Sequence, residues 1–244
     1  MLLEVSCKCM KIGLLQCDDV ALDLQPAHGN YPQMFEDLLR AQIPDLEMVV
    51  YRTMDGEYPA DPAECAAYLT TGSKFGVNDG LAWVDVLEGF VRQLWDRGIP
   101  LVGVCFGHQL MARALGGEVG KSEKGWGVGV SFNQVVTRKD WMDPWQEKLD
   151  LIVSHQDQVV RLPPQAEVLV SSVFCPYYVV QYGGHFMSVQ GHPEFCKSYS
   201  RDLMEMRGGV IPDARLREGH ASLNAQVDSG LMMRWILNFI TLAR

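Results

Sequence analysis

Short apolar runs alternate with longer amphipathic stretches along most of this chain, the pattern of strands separated by crossover helices. Lys11 to Cys17 reads as a first strand, and Tyr31 to Arg40 as a helix with Tyr31, Phe35, Leu38 and Leu39 on one face. Glu47 to Tyr51 reads as the second strand. Ala66 to Thr70 reads as a third, leading into a Gly72-Ser73 turn. Val84, Leu87, Val91 and Leu94 mark a helix ahead of the strand Leu101 to Val104, and a further helix is expected from about Gly107 to Leu115. This alternation predicts an α/β fold with a mostly parallel central sheet and helices on both faces.

The second half reads differently. Glycines and β-branched residues from Glu118 to Val136 suggest antiparallel hairpins. Val168 to Ser172, Tyr178 to Tyr182 and Phe186 to Gln190 suggest a meander that carries His192 to the sheet edge. After Phe195 the pattern turns helical, first around Ser200 to Met206 and then in a longer helix ending near Leu242, with Val227, Leu231, Trp235 and Phe239 at helical spacing. Packing on the parent domain is the expectation for this extension over 198–244, ahead of a role as an oligomer interface. Residues 1–9 read as a peripheral leader, with Met10 an alternative start. Residues 1–244 are most simply one domain, without internal repeats.

The chemistry concentrates in Gly103-Val-Cys-Phe-Gly-His-Gln109, which places one cysteine between glycines where a strand should turn into a helix. Small residues on both sides of a sharp elbow relieve crowding while Cys105 projects above the sheet. The N-terminal end of the following helix favours the thiolate form. A cysteine nucleophile needs a base and a group to orient that base, both usually distant in sequence. In Phe186 to Phe195 a β-type run ends at Gly191, and His192 and Glu194 follow two residues apart across Pro193. Residues i and i+2 of an extended segment point the same way, so the carboxylate can lie beside the imidazole. Taken singly, a buried cysteine is usually an inert small hydrophobe and a His-Pro is usually a turn. Together they predict a Cys105, His192, Glu194 triad.

These residues resemble the class I, triad-type glutamine amidotransferase family in type, order and separation. The resemblance runs from about Lys11 to Lys197 and implies a flavodoxin-like fold. It further implies an oxyanion hole built from the backbone N–H groups of Ser73 and Phe106, with Gly72, Gln109, Gln156 and Asp157 at the substrate. The family's turn usually carries two glycines where this chain has Gly72-Ser73, so Ser73 must adopt whatever backbone angle the donor needs. Ser154-His155-Gln156-Asp157 and Ala112 to Gly117 are most similar to stand-alone proteins resembling the GMP synthase amidotransferase domain, including plant γ-glutamyl peptidases.

Composition narrows the class. With 244 residues, 48% of them hydrophobic, the chain can bury a sizeable core. A formal net charge of −9, with no Lys/Arg run, argues against a nucleic-acid partner. No apolar run reaches the roughly 20 residues of a membrane span, and no charged-then-apolar leader opens the chain, so the cytoplasm is the expected compartment. The seven cysteines lack framework spacing. Cys7-Lys-Cys9 is at most half a metal site, so neither metal nor other cofactor is expected. Three functions stay open: a glutaminase releasing ammonia for a separate synthase partner, a stand-alone hydrolase of γ-glutamyl amides or peptides, and a catalytically silent binding protein. The first is the leading expectation, with glutamine or a γ-glutamyl compound as substrate and homo-oligomers allowed.

Overall fold

A computed structural model describes residues 10–243. The leader over 1–9, with its cysteine pair, lies outside the described residues. The first half alternates as the pattern requires: β1 (Lys11–Gln16), α1 (Gln25–His28), α2 (Tyr31–Gln42), β2 (Glu47–Arg52), β3 (Ala67–Thr70), α3 (Ala82–Asp96), β4 (Leu101–Val104) and α4 (Phe106–Ala114). Then come β5 (Glu118–Lys121), β6 (Gly127–Ser131), β7 (Gln134–Val135), β8 (Leu151–His155), β9 (Asp157–Arg161), β10 (Ala166–Ser171), β11 (Val179–Tyr182) and β12 (Phe186–Val189). The helices α5 (Lys197–Met206), α6 (Asp213–Ser222) and α7 (Ser229–Leu242) close the described chain.

The main sheet has eight strands in the order β2-β1-β3-β4-β12-β11-β10-β7. Its first five strands run parallel, and β11, β10 and β7 continue it antiparallel. Side-chain alternation along β1 sends Ile12 and Leu14 into one core with Phe35 and Leu39 of α2, and Leu15 into the other with Leu87 and Val91 of α3. Both faces are thereby covered. Asn30 starts α2 by accepting the N–H groups of Tyr31 and Val20, so one side chain fixes both the helix and the loop after β1. Trp235, Ile236, Phe239 and Ile240 of α7 are buried in the same core as Ile12 and Leu14. The apolar stripe of the C-terminal extension is thus spent on the sheet.

Three expectations need correction. The strands between Glu118 and Val136 exist, but β5, β6 and β7 pair with β9, β8 and β10 rather than with one another. Alternation identifies a strand and its buried face, yet it does not name a partner. Second, the meander does not carry His192 to the sheet edge: β12 is interior, hydrogen-bonded to β4 on one side and β11 on the other. All four of its residues are buried, as a strand covered on both faces requires. Third, the long terminal helix begins only at Ser229, and α6 forms ahead of it. Ser222 of α6 accepts the Val130 N–H and so caps the open edge of β6.

Candidate active site

The register of β4 against β12 builds the site. Val104 lies opposite Val189, so the chain leaves both strands at the same end of the sheet, carrying Cys105 on one side and His192 on the other. Open α/β sheets place ligands at this end of their parallel strands. Cys105 has φ 51° and ψ −95°, and it is the one non-glycine residue with positive φ among those described. Such a conformation is strained for a side-chain-bearing residue and marks a functional elbow when the surroundings enforce it. Three hydrogen bonds enforce it here. The Cys105 N–H donates to the Val189 carbonyl (2.8 Å), the Cys105 carbonyl accepts from Gln109 N–H (3.1 Å), and Val104 N–H donates to Thr70 Oγ1 (3.1 Å). Gly107 faces Thr70 so closely that any Cβ would overlap that hydroxyl, while a Cβ on Gly103 would meet the Gly107 backbone at 2.6 Å. The glycines on both sides of Cys105 are required by contact.

His192 is held on every side. Its backbone N–H donates to the Ile152 carbonyl (2.8 Å), and its Nδ1 bonds Glu194 Oε1 at 2.8 Å. The imidazole stacks on Phe195 with ring centroids 3.8 Å apart, and Phe195 in turn meets the edge of Tyr199. Gly72 closes the opposite side, where a Cβ would come within 2.7 Å of His192 Cε1. Burial opposes a charge on His192, but adjacent Cys105 and Glu194 outweigh it and push its pKa up to about 10. Glu194 Oε2 is buried without a hydrogen-bond partner, so among the described residues the side chain bonds only the imidazole.

The N–H groups of Ser73 and of Phe106, the first residue of α4, have no protein acceptor among the described residues. Ser73 does not need a glycine's conformation, because its φ is not positive. Gly72 is instead demanded by the room that His192 takes. Asp18 anchors this turn: its carboxylate accepts the Lys74 backbone N–H (2.8 Å) and the Lys74 ammonium (3.0 Å). Gln109, Gln156 and Asp157 line the same cavity as Cys105, Ser73 and Phe106, which has a volume of about 350 Å³. The Gln109 amide nitrogen is committed to the protein. It donates to the Asp157 carbonyl (2.9 Å) and to Gln190 Oε1 (3.2 Å). Because the backbone carbonyl can only accept, both amides are oriented, and Gln190 Nε2 donates toward Cys105 Sγ at 3.5 Å. The sequence pattern marks Gln190 only as the end of a strand and does not mark Asp18 at all. Each had a signal: Asp18 follows the C-terminal end of β1, and Gln190 sits two residues before His192.

Two more histidines lie under the site. His108 donates or accepts at Nδ1 with Ser188 Oγ (2.7 Å), and His155 Nδ1 meets the Asp157 carbonyl (3.1 Å). The Nε2 of each is buried without a partner. Burial pushes His108 down to about 3 and His155 down to about 4, so both stay neutral. The unfolded chain protonates them below about pH 6.5 while the fold refuses the proton, so stability falls on acidification through that range. Each contributes a loss of about 2 kcal/mol between pH 7 and pH 5. Thermal melting at the two pH values should show this, and His108→Gln should narrow the difference; an unchanged difference contradicts the assignment. Among the described residues no group of three or more His, Cys, Asp or Glu is arranged to hold a metal ion.

A family model, glutamine amidotransferase class-I, matches residues 77–206, more than half of the chain. The chain belongs to that family. The matched span holds Cys105, His192 and Glu194 and stops one residue short of Arg207. Among curated relatives, γ-glutamyl peptidase 4 of Arabidopsis thaliana is 29% identical over 193 residues, covering 75% of this chain and 76% of the relative. The glutamine-hydrolysing GMP synthase of Aeropyrum pernix is 27% identical over 178 residues, 72% of this chain but 33% of that protein. The fold matches the crystal structure of a glutamine amidotransferase from Thermotoga maritima with a TM-score of 0.73 at 18% identity, over 95% of this chain and 98% of that one. No helix among the described residues is long and apolar enough to cross a membrane.

Proposed function

We propose that this amidotransferase-family chain hydrolyses the C–N bond of a γ-glutamyl amide through a thioester on Cys105. The observation that carries the reading is the strained Cys105 elbow set beside a His192 whose Nδ1 is already occupied by Glu194. That leaves Nε2 as the ring nitrogen free to move a proton.

His192 holds the proton given up by Cys105 while the sulfur attacks the γ-carbonyl carbon. A C–S bond forms, and the carbonyl electron pair moves to oxygen, where Ser73 and Phe106 N–H groups receive the charge. The oxyanion then collapses. As the C–N bond breaks, His192 returns its proton to the nitrogen and the amine departs. Water next gives a proton to His192 and attacks the thioester, the C–S bond breaks, and glutamate leaves with the thiol restored. Glu194 keeps the imidazole oriented and offsets its positive charge. At one end of the cavity the Asp79 and Asp157 carboxylates flank Gly76, and Lys121 lies opposite Asp157 in the β5–β9 register, a setting suited to the ammonium and carboxylate of the glutamyl group.

The leaving group separates two readings. A γ-glutamyl hydrolase acting alone is favoured by the peptidase relative, which this chain matches along three quarters of both lengths. Ammonia release from glutamine to a separate synthase is the second reading, carried by the GMP synthase likeness. Incubation with γ-glutamylalanine and with glutamine, followed by quantification of free glutamate, should show release from at least one. Glutamate at buffer-blank levels from both would refute the proposed reaction.

A further inference from the structure

We propose that Arg207 binds a carboxylate on the amine side of the scissile bond, which makes the substrate a γ-glutamyl amino acid or peptide rather than glutamine. This rests on Cys105 as the nucleophile of γ-glutamyl hydrolysis and goes on to name what leaves.

Arg207 follows directly on α5 and lines the Cys105 cavity together with Ser154, Trp126 and Val210. Its guanidinium is positioned but unneutralised. Nη1 donates to Ser154 Oγ at 2.7 Å, and the group lies over the Trp126 ring, 5.8 Å from its centroid. No carboxylate pairs with it among the described residues, in a chain of net charge −9. Several other cations are neutralised: Lys74, in the same cavity, is paired with the buried Asp18, Arg113 with Glu88, and Arg215 with Glu218. A guanidinium presents five donors in a planar fork matched to a carboxylate, and one donor here is spent on a neutral hydroxyl.

Its place relative to the chemistry decides which end of the substrate it meets. Arg207 follows directly on α5, whose first turns carry Tyr199; Tyr199 packs on Phe195 and Phe195 stacks on His192, so the helix that delivers the guanidinium runs from the His192 side of the nucleophile. His192 must protonate the departing nitrogen, so this is the amine side. Ser154, which holds Arg207, is two residues from Ile152, whose carbonyl holds the His192 backbone. The carboxylates and lysine at the glutamyl end sit on Asp157 and its neighbours, beyond the bend at Gln156 that separates β8 from β9. Ammonia leaving from glutamine would give Arg207 nothing to bind, whereas an amino-acid amine carries a carboxylate.

The test compares γ-glutamylalanine with γ-glutamylalaninamide, which differ only in that carboxylate, alongside glutamine. The wild type should favour the acid over the amide by about tenfold or more in kcat/KM, mostly through KM. Arg207→Met should bring that ratio close to one, and Arg207→Lys should restore part of it. A wild-type ratio near one, or a ratio that survives in Arg207→Met, overturns the assignment. An equal loss on all three substrates in Arg207→Met would place the residue at the glutamyl end, which also overturns it. If the wild type cleaves none of the three and a glutamine-like electrophile leaves Cys105 unlabelled, the hydrolase reading fails and takes this proposal with it. Cleavage with Cys105 labelling but no role for Arg207 sinks this proposal alone.

Discussion

Cys105→Ala is expected to lower kcat for γ-glutamyl hydrolysis by about 10⁴-fold or more, because no other side chain can form the covalent intermediate. The remaining groups cannot substitute. His192 would be left without a thiol to deprotonate, and the oxyanion donors would face a substrate that only water could attack. The substitution should spare the fold. The elbow is held by the Val189 and Gln109 backbone bonds and by Thr70 at Val104, none of which involves the sulfur. Alanine carries the same penalty as cysteine at φ 51°, so the variant should melt within about 5 °C of wild type. Initial rates and a melting curve on the same preparation check both halves. A variant that folds and turns over at the wild-type rate would remove Cys105 from the mechanism.

Gly72→Ala should reduce kcat by about 100-fold by pushing His192 out of place, the cost expected when a catalytic group is displaced by about 1 Å. Backbone strain is no part of this, since φ at Gly72 is outside the left-handed region. The whole effect is steric: the new methyl would sit 2.7 Å from His192 Cε1. The ring cannot step aside cheaply, because Phe195 stacks on its other face at 3.8 Å and Glu194 holds Nδ1 at 2.8 Å. Steady-state rates for Gly72→Ala and Gly72→Ser read the effect, with serine at least as impaired as alanine. Wild-type rates in both would mean that the imidazole works from somewhere other than the position seen here.

The sequence shows most of the parallel half of the fold, because β1, β3 and β4 are short apolar runs and α2 and α3 carry their stripes at helical spacing. It shows which strands exist in the second half but not their partners, since β5 and β6 bond to strands some 25 to 40 residues onward. That is also why β12 reads as a strand near the sheet edge when it lies beside β4. The motifs place Cys105 and the His192, Glu194 pair on the chain, and only the register between β4 and β12 brings them together. Asp18 and Gln190 act through contacts across 56 and 85 residues of sequence, which no local pattern displays. Arg207 reads as one more charged residue after a helix until Ser154 and Trp126 are seen beneath it.

The central claim is that Cys105 attacks a γ-glutamyl carbonyl, and a glutamine-mimicking electrophile such as 6-diazo-5-oxo-norleucine tests it most directly. Wild type and Cys105→Ala are treated in parallel, weighed intact by mass spectrometry and mapped by peptide. The protein offers its own controls: burial pushes the Cys17 and Cys175 thiols up to about 12, while Cys196 is exposed and would report indiscriminate alkylation. The account predicts one adduct, on Cys105, absent from Cys105→Ala. An unlabelled wild type, or label on Cys196 in place of Cys105, would contradict it.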